Sequence, residues 1–170
     1  MIEKSRAVKI FLTLVATISL LICFTGCAVP EGSQVGDKAP DFTLSTLDGG
    51  QVTLSELKGS PVMLTFWTTG CSACIYQMSF LETAHNEAGN DVEFLNIDIG
   101  ESSYQVQATV DYYGFSLPVA IDSDETVSEA YNIFYTPTNI ILDEDGIIRY
   151  IRKGNFLSAD EILERLGDLE

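Results

Sequence analysis

Residues 61–74, PVMLTFWTTGCSAC, decide the fold of this chain. Residues 62–67 are apolar apart from Thr65 and rich in β-forming side chains, which indicates a buried strand. After a short polar break that ends in glycine, residues 75–88 carry apolar side chains at helical spacing, which predicts an α-helix. The sequence C-S-A-C therefore lies at the junction between a strand and a helix.

A pair of cysteines at such a junction is suited to redox chemistry. Cys71 lies where unpaired backbone N–H groups and the positive end of the helix dipole favour a thiolate, which is the nucleophile of disulfide exchange. Cys74 follows one helical turn later on the same face, where it can attack the resulting mixed disulfide. The motif therefore predicts reversible exchange between a dithiol and a disulfide.

Two other interpretations of the cysteine pair are a zinc site and a purely structural disulfide. A zinc site needs two further ligands, but the chain has one histidine, His85, and its other cysteines, Cys23 and Cys27, lie in an N-terminal export segment. A structural disulfide stays open, although closing so short a loop removes little entropy from the unfolded chain. The context favours redox catalysis, and we expect no metal or other cofactor.

The first residues of the chain form an export signal. Residues 1–9 carry three basic side chains and residues 10–26 carry no charge, as in a signal peptide. The ending Phe24-Thr25-Gly26-Cys27 resembles the cleavage box of bacterial lipoproteins, in which the cysteine receives lipid. We therefore expect residues 1–26 to be a lipoprotein signal peptide and Cys27 to be the lipidation site, which would suffice for stable anchoring with two acyl chains. An uncleaved signal anchor and ordinary secretion are the alternatives.

The rest of the chain is expected to be one domain behind a short linker. Residues 27–35 are rich in Gly, Pro and Ser without periodicity, which predicts a flexible tether. Residues 36–170 have the size of one globular domain. The whole chain has a formal charge of −16, and because residues 1–26 hold three basic and one acidic side chain, the remainder carries −18. Such a surface repels nucleic acid and anionic lipid head groups.

Strand and helix signals alternate along the remaining sequence. Alternating runs at residues 42–44 and 51–54, joined through Asp48-Gly49-Gly50, predict a β-hairpin. Further strands are predicted at residues 92–99, 118–121, 138–142 and 147–152, and further helices at residues 104–113, 125–131 and from Ala159 onward, the last with Ser158 as its N-cap. This order predicts an α/β sheet covered on both faces.

Four segments carry a resemblance to a known family. They are the F-W-x-x-x-C-x-x-C run at residues 66–74, the segment YNIFYTPT at residues 131–138, the D-x-x-G hairpin at residues 143–146, and VGDKAPDF at residues 35–42, a start shared with peroxiredoxins. Together they resemble the thioredoxin-like superfamily and, within it, the exported TlpA/ResA-type thiol-disulfide oxidoreductases. The resemblance implies a thioredoxin-like fold with a central mixed sheet, helices on both faces and an N-terminal β-hairpin extension.

The same resemblance implies the residues of the site. Cys71 and Cys74 would be the catalytic pair and the redox-active disulfide. Pro137 matches the family's cis-proline, which lies against the cysteines and presents the backbone of the preceding residue, here Thr136, to an incoming polypeptide; a trans-proline at the entry of a strand is the alternative. Trp67 matches a tryptophan beside the active-site loop, so we expect it to position substrate or to belong to the core.

The sequence departs from the family pattern around the cysteines. Gly70 replaces an aromatic residue, which should expose Cys71 more. Thr65 stands where cytosolic thioredoxins keep a buried aspartate, and Gln77 stands where many relatives carry a glutamate. Because neither side chain can accept a proton as a carboxylate does, we expect resolution by Cys74 to use water or the substrate thiol as the base.

The expected function is that of a membrane-tethered, extracytoplasmic thiol-disulfide oxidoreductase on the outer face of the cytoplasmic membrane. It would reduce disulfides of exported proteins, such as apocytochromes during cytochrome c maturation. The expected partners are exported protein thiols and disulfides, a membrane thiol that donates electrons, and the membrane itself through Cys27. We expect a monomer that does not bind nucleic acid. The sequence does not determine whether the pair works as a reductant or as an oxidant, because the direction depends on relative thiolate stability.

Two other functions remain as alternatives. A peroxiredoxin-like peroxidase needs a proline seven residues before the cysteine, where this chain has Leu64, and an arginine that has no evident match here. A non-enzymatic copper carrier or binding module on the same scaffold is the second alternative. Copper carriers of this superfamily use C-x-x-x-C with a distant histidine, whereas the spacing here is one residue shorter and His85 lies on the cysteine-bearing helix.

Overall fold

A computed structural model describes residues 29–169, so the predicted signal peptide, Cys23 and the lipidation site Cys27 lie outside the described residues. The strands are β1 (Thr43–Thr46), β2 (Gln51–Thr53), β3 (Val62–Trp67), β4 (Glu93–Ile99), β5 (Val119–Asp122), β6 (Thr138–Leu142) and β7 (Ile148–Lys153). The α-helices are α1 (Ser72–Ala88), α2 (Ser103–Tyr113), α3 (Thr126–Ala130) and α4 (Ala159–Gly167). Within this part of the chain, no helix combines the length and apolarity needed to cross a membrane.

The strands form one mixed sheet in the order β2-β1-β5-β4-β3-β6-β7. Strand β3 lies parallel to β4, and β4 lies parallel to β5, while the remaining neighbours are antiparallel. Every residue of β3 is buried, because the strand has a neighbour on each side and covered faces above and below. The predicted central strand, the N-terminal hairpin of β1 and β2, and the thioredoxin-like mixed sheet are confirmed.

Two apolar cores lie on opposite faces of the sheet. Because side chains alternate along a strand, Leu64 and Phe66 of β3 enter one core together with Val127 of α3. Met63 and Trp67 enter the other core, where apolar residues of α1, α2 and α4 cover the sheet. Helices therefore lie on both faces, as predicted.

Local signals set most element boundaries. The side chain of Ser158 accepts a hydrogen bond from Glu161 N at the start of α4, so the predicted N-cap is confirmed. Helix α3 is shorter than the predicted range 125–131. Glu125 has a φ of 61°, in the left-handed region, so the helix begins only at Thr126.

The segment before β1 is hydrogen-bonded to the sheet. Gly36 N donates to Ile148 O at 2.8 Å, and Lys38 N donates to Pro30 O at 2.9 Å. In addition, Asn132 Nδ2 donates to the hydroxyl of Ser33 at 2.8 Å. The later half of the predicted tether is therefore attached to the domain, and ordered chain begins before residue 36.

Candidate active site

The strand-to-helix junction places Cys71 at the N-cap of α1. Its Sγ accepts a hydrogen bond from Cys74 N at 3.1 Å, and its own N–H donates to Thr68 O at 3.2 Å. Because Cys71 itself caps the helix, α1 begins at Ser72, three residues earlier than the apolar spacing predicted. The sulfur therefore lies among the unpaired N–H groups of the first turn, where negative charge is stabilised.

Cys71 and Cys74 are joined in a disulfide with their Cα atoms 5.2 Å apart. Cys71 is partly exposed, whereas Cys74 is fully buried. A thiolate approaching from solvent can therefore reach the disulfide at Cys71 and not at Cys74. This asymmetry matches the predicted roles of an attacking and a resolving cysteine.

The loop before β6 lies at the same end of the sheet as the disulfide, where β3 ends and β6 begins. The Thr136-Pro137 peptide bond is cis, as predicted. Strand β6 runs antiparallel to β3 with Thr138 opposite Phe66, so the residues before Thr138 lie beside the chain that leaves β3. Pro137 is buried and its carbonyl accepts from Gly154 N at 2.8 Å, while Thr136 is partly exposed.

Exposed apolar side chains lie on the segments that begin or end at this end of the sheet, a feature that sequence reasoning missed. Phe134 and Tyr135, directly before Thr136, are 78% and 66% exposed, and Tyr76 on the first turns of α1 is 57% exposed. Leu157 is also exposed, in the loop that follows β7. We call Tyr76, Phe134, Tyr135 and Leu157 the apolar rim. The signal in the sequence was the aromatic pair next to the Thr-Pro dipeptide.

Trp67 does not reach the surface. It is fully buried, its ring packs edge-to-face against Phe115 with centroids 6.3 Å apart, and its Nε1 has no hydrogen-bond partner among the described residues. The expectation that Trp67 contacts a substrate is therefore not supported, because a side chain without exposed area cannot touch one. Its alternative role in the core is the one that the structure shows.

The positions of the two missing family carboxylates belong to one buried neutral network. Gln77 Nε2 donates to Asn139 Oδ1 at 2.9 Å, and the hydroxyl of Thr65 donates to the same oxygen at 3.0 Å. Gln77 Oε1 accepts from Phe156 N at 3.0 Å, and Asn139 Nδ2 donates to Gly154 O at 3.0 Å. The network ties the loop after β7 to α1. It contains no group that accepts a proton near neutral pH.

A buried carboxyl that sequence reasoning missed lies on the neighbouring strand. Asp98 of β4 is fully buried and stands opposite Trp67 in the sheet. Burial raises the pKa of Asp98 to about 8, and both a hydrogen bond with Glu101 and the negative charge of Glu101 act in the same direction. Its only signal in the sequence was an acidic residue near the end of a predicted buried strand.

Glu101 connects this buried acid to the loop that carries the cysteines. Its two carboxylate oxygens accept from Thr69 N at 2.6 Å and from the Thr69 hydroxyl at 2.7 Å. Partial burial alone would raise the pKa of Glu101, but the hydrogen bonds from Asp98 and Thr69 outweigh it and hold that pKa below its usual value. Glu101 therefore stays ionised and holds Thr69, two residues before Cys71.

His85 lies on α1 away from the disulfide. Its ring packs against Phe94 with centroids 5.3 Å apart and is partly buried. His85 therefore contributes to the packing of α1 against β4.

Comparison with known proteins gives one consistent family. Residues 35–151 match the AhpC/TSA family. The chain is 34% identical to the thioredoxin-like protein YneN of Bacillus subtilis over 82% of each chain. It is 31% identical to the thiol-disulfide oxidoreductase ResA of Geobacillus kaustophilus, over 89% of this chain and 87% of that one. Among solved structures, the exposed lipoprotein thioredoxin of Streptococcus pneumoniae superposes with a TM-score of 0.66 at 31% identity, covering 76% of this chain and all of that chain.

Proposed function

Since the chain belongs to the AhpC/TSA family and is a thioredoxin-like thiol-disulfide oxidoreductase, we propose that Cys71 and Cys74 are its catalytic pair and that it reduces disulfides of exported proteins. The observation that carries this proposal is the asymmetry of the pair at the start of α1. Cys71 is partly exposed and accepts a backbone N–H bond, whereas Cys74 is buried directly behind it.

The proposed reaction moves one electron pair to the substrate. The thiolate of reduced Cys71 attacks one sulfur of the substrate disulfide, so that a mixed disulfide forms and the first substrate sulfur leaves as a thiolate. Cys74 then attacks Cys71 Sγ, the mixed disulfide breaks, and the second substrate thiolate leaves. The protein is oxidised to the Cys71–Cys74 disulfide, and the two protons of its dithiol end on the two substrate thiols. A membrane thiol donor would restore the dithiol by the same exchange.

The apolar rim supports a polypeptide as the substrate. Phe134 and Tyr135 lead directly into the Thr136-Pro137 bend, where the partly exposed Thr136 would meet an extended chain of the substrate. Large exposed aromatic side chains at the end of the sheet that carries the reactive disulfide favour burial of an apolar segment of the partner. Thr136 and Pro137 would thus position the backbone of the substrate, while the rim holds its side chains.

We further propose that the protein is a lipoprotein on the outer face of the cytoplasmic membrane. Residues 1–26 would be the signal peptide and Cys27 would carry the lipid. The first residues of the predicted tether at residues 27–35 would link the lipid to the domain, to which the later half of the tether is attached. The N-terminal charge pattern and the small-small-cysteine ending support this proposal. Replacing Cys27 with serine should move the protein from the membrane fraction to the soluble fraction and abolish labelling by a fatty-acid analogue. Unchanged labelling would rule out lipidation at this residue.

A peroxidase function is disfavoured by the arginines. The described residues contain three, Arg149, Arg152 and Arg165, and each forms an ion pair with a carboxylate, those of Asp143, Glu161 and Asp168 respectively. Leu64 occupies the position of the proline that peroxide activation needs. We therefore expect no peroxide consumption above that of an ordinary exposed dithiol.

Turnover with a disulfide-bonded polypeptide tests the proposed reaction. The full chain should accelerate reduction of insulin disulfides by dithiothreitol, and the variants C71S and C74S should both lose this acceleration. Ser79→Ala on the same helix, exposed and outside the site, is a matched control that should keep it. Equal acceleration by C71S and the wild-type protein would refute the proposal.

A further inference from the structure

Asp98 is a buried acid that the proposed exchange does not use. Among residues 29–169, no N–H or O–H group forms a hydrogen bond of ordinary geometry with its carboxyl oxygens. The nearby backbone N–H of Glu101 lowers the pKa of Asp98 by less than burial raises it. An ionised carboxylate in such a place is costly, because little replaces the water that it has lost. The neutral acid avoids this cost, and its proton can be donated to a neighbouring oxygen.

Glu101 supplies that oxygen. The side chains of Asp98 and Glu101 lie within hydrogen-bonding reach of each other. Two carboxyl groups can hydrogen-bond each other only when one of them carries a proton. The pair therefore holds a single proton, and the more buried partner, Asp98, keeps it.

The pair is connected to the active-site loop by short contacts. Both oxygens of Glu101 accept from Thr69, one from the backbone N–H and one from the hydroxyl, at 2.6 and 2.7 Å. Thr69 is followed by Gly70 and Cys71, and the N–H of Cys71 donates back to Thr68. The loop from β3 to α1 is thus held by Glu101 on one side and by the helix cap on the other.

The groups that face Asp98 do not stabilise its negative charge. Glu101 and, from β5, Asp122 repel it. Strand β3 presents Trp67, which does not titrate, and α2 packs on this face through the apolar Val106. Helix α1 carries the cysteine pair at its start, which can ionise only when it is reduced. Loss of the proton from Asp98 therefore leaves two adjacent carboxylates without a cation among these neighbours.

We propose that Asp98 and Glu101 share one proton that fixes the Cys71 loop through Thr69, so that Asp98 is a positioning residue for the dithiol. This inference rests on the proposed function of the cysteine pair. When the proton is lost, the two carboxylates repel each other. Glu101, which is the more exposed, then moves towards water and releases Thr69. The loop loses its anchor, while a buried negative charge remains opposite Trp67 on the strand next to the one that leads to the disulfide. Both changes disfavour attack by an external thiolate.

The single tryptophan of the sequence reports on this event. Trp67 stands opposite Asp98 in the sheet, so its fluorescence in the oxidised full chain should titrate with a midpoint near pH 8. The second readout is the rate constant for reduction of the disulfide by dithiothreitol, corrected for the thiolate fraction of the reagent. Over the same pH range this rate constant should fall by about threefold or more. Below the midpoint it should be constant.

Asp98→Asn is the decisive variant. Asparagine keeps the shape of the side chain and a hydrogen-bond donor for Glu101, but it cannot lose a proton. The fluorescence change and the fall in the rate constant should therefore both vanish. The rate constant for reduction at about pH 6.5 should stay within about twofold of the wild-type value. Asp122→Asn is the matched control, because it is another buried aspartate at the end of the adjacent strand whose oxygens are taken by Val127 N and Ser128 N. The Asp122→Asn variant should keep both the fluorescence change and the fall in the rate constant, with midpoints at slightly lower pH.

Two results would overturn the inference. One is a wild-type protein whose fluorescence and corrected rate constant are flat between about pH 6 and about pH 9, and the other is a D98N variant that reproduces the wild-type changes. Either result leaves the proposed exchange intact if insulin reduction persists at about pH 6.5. Failure of the wild-type protein to exchange disulfides at any pH would instead defeat the proposed function.

Discussion

Replacing Asp98 with asparagine should stabilise the fold by an amount that grows with pH. The carboxyl is fully buried, and its oxygens accept no hydrogen bond from the described residues. Burial, the hydrogen bond with Glu101 and the charge of Glu101 together raise the pKa of Asp98 to about 8. Asparagine has nearly the same shape and does not titrate, so the variant removes the cost of ionisation and little else.

The sign of the effect follows from where the proton is held. In the unfolded chain the carboxyl of Asp98 ionises near its usual pKa of 3.8, whereas in the folded chain it keeps its proton until about pH 8. Its contribution to stability is therefore fully present below pH 3.8 and is lost as the pH rises through this window to about 8. Each pH unit inside the window costs at most about 1.4 kcal/mol, so the whole window corresponds to roughly 6 kcal/mol.

Urea denaturation of the oxidised full chain measures this difference. The free energies of unfolding of the D98N variant and the wild type should diverge by about 1.4 kcal/mol per unit between about pH 4 and about pH 8, and the difference should then stay constant. The denaturant slopes of the two proteins should agree, which shows that the unfolded states are comparable. A difference that is the same at every pH, or one that shrinks as the pH rises, would refute the reasoning.

Three further predictions concern other parts of the molecule. Gln77→Ala removes the buried acceptor of Phe156 N, so the free energy of unfolding in urea should fall by about 2–4 kcal/mol; a fall below about 1 kcal/mol would mean that the network does not hold the loop after β7. Ser158→Ala removes the N-cap of α4 and should cost about 1 kcal/mol in thermal unfolding, whereas no change would mean that water replaces the cap. Changing Phe134 and Tyr135 together to serine should leave stability within about 0.5 kcal/mol and slow exchange with a disulfide-bonded polypeptide severalfold, without slowing reduction by dithiothreitol. Equal slowing with both would place the damage at the dithiol instead.

The strands and helices, and their succession along the chain, were largely predictable because their signals are local. The buried run of β3, the turn residues of the hairpins and the cap at Ser158 are each read within a few residues. The predicted helix boundaries were wrong where the conformation or capping role of a single residue outweighed the spacing of apolar residues. Cys71 caps α1 and so starts the helix earlier than its apolar pattern, and the left-handed Glu125 delays α3.

The cysteine pair and the cis-proline were predictable from their motifs, but the groups around them were not. The sequence showed that Gln77 cannot accept a proton as a carboxylate does. It did not show the hydrogen-bond partner of Gln77, because Asn139 is 62 residues away in the sequence. Asp98 likewise stands opposite Trp67 only because β4 pairs with β3 in one particular register. Burial of Trp67 was also decided by packing across the sheet. Such contacts depend on tertiary register, which a single sequence does not display.

Trapping of the mixed disulfide tests most directly whether Cys71 is the attacking sulfur. The reduced C74S variant, mixed with a disulfide-bonded peptide, should accumulate a covalent adduct that mass spectrometry locates at Cys71, because no second thiol is present behind it to release the peptide. The reduced C71S variant should accumulate little or none, since Cys74 is fully buried. An adduct that forms on C71S as fast as on C74S, or on neither variant, would contradict the account.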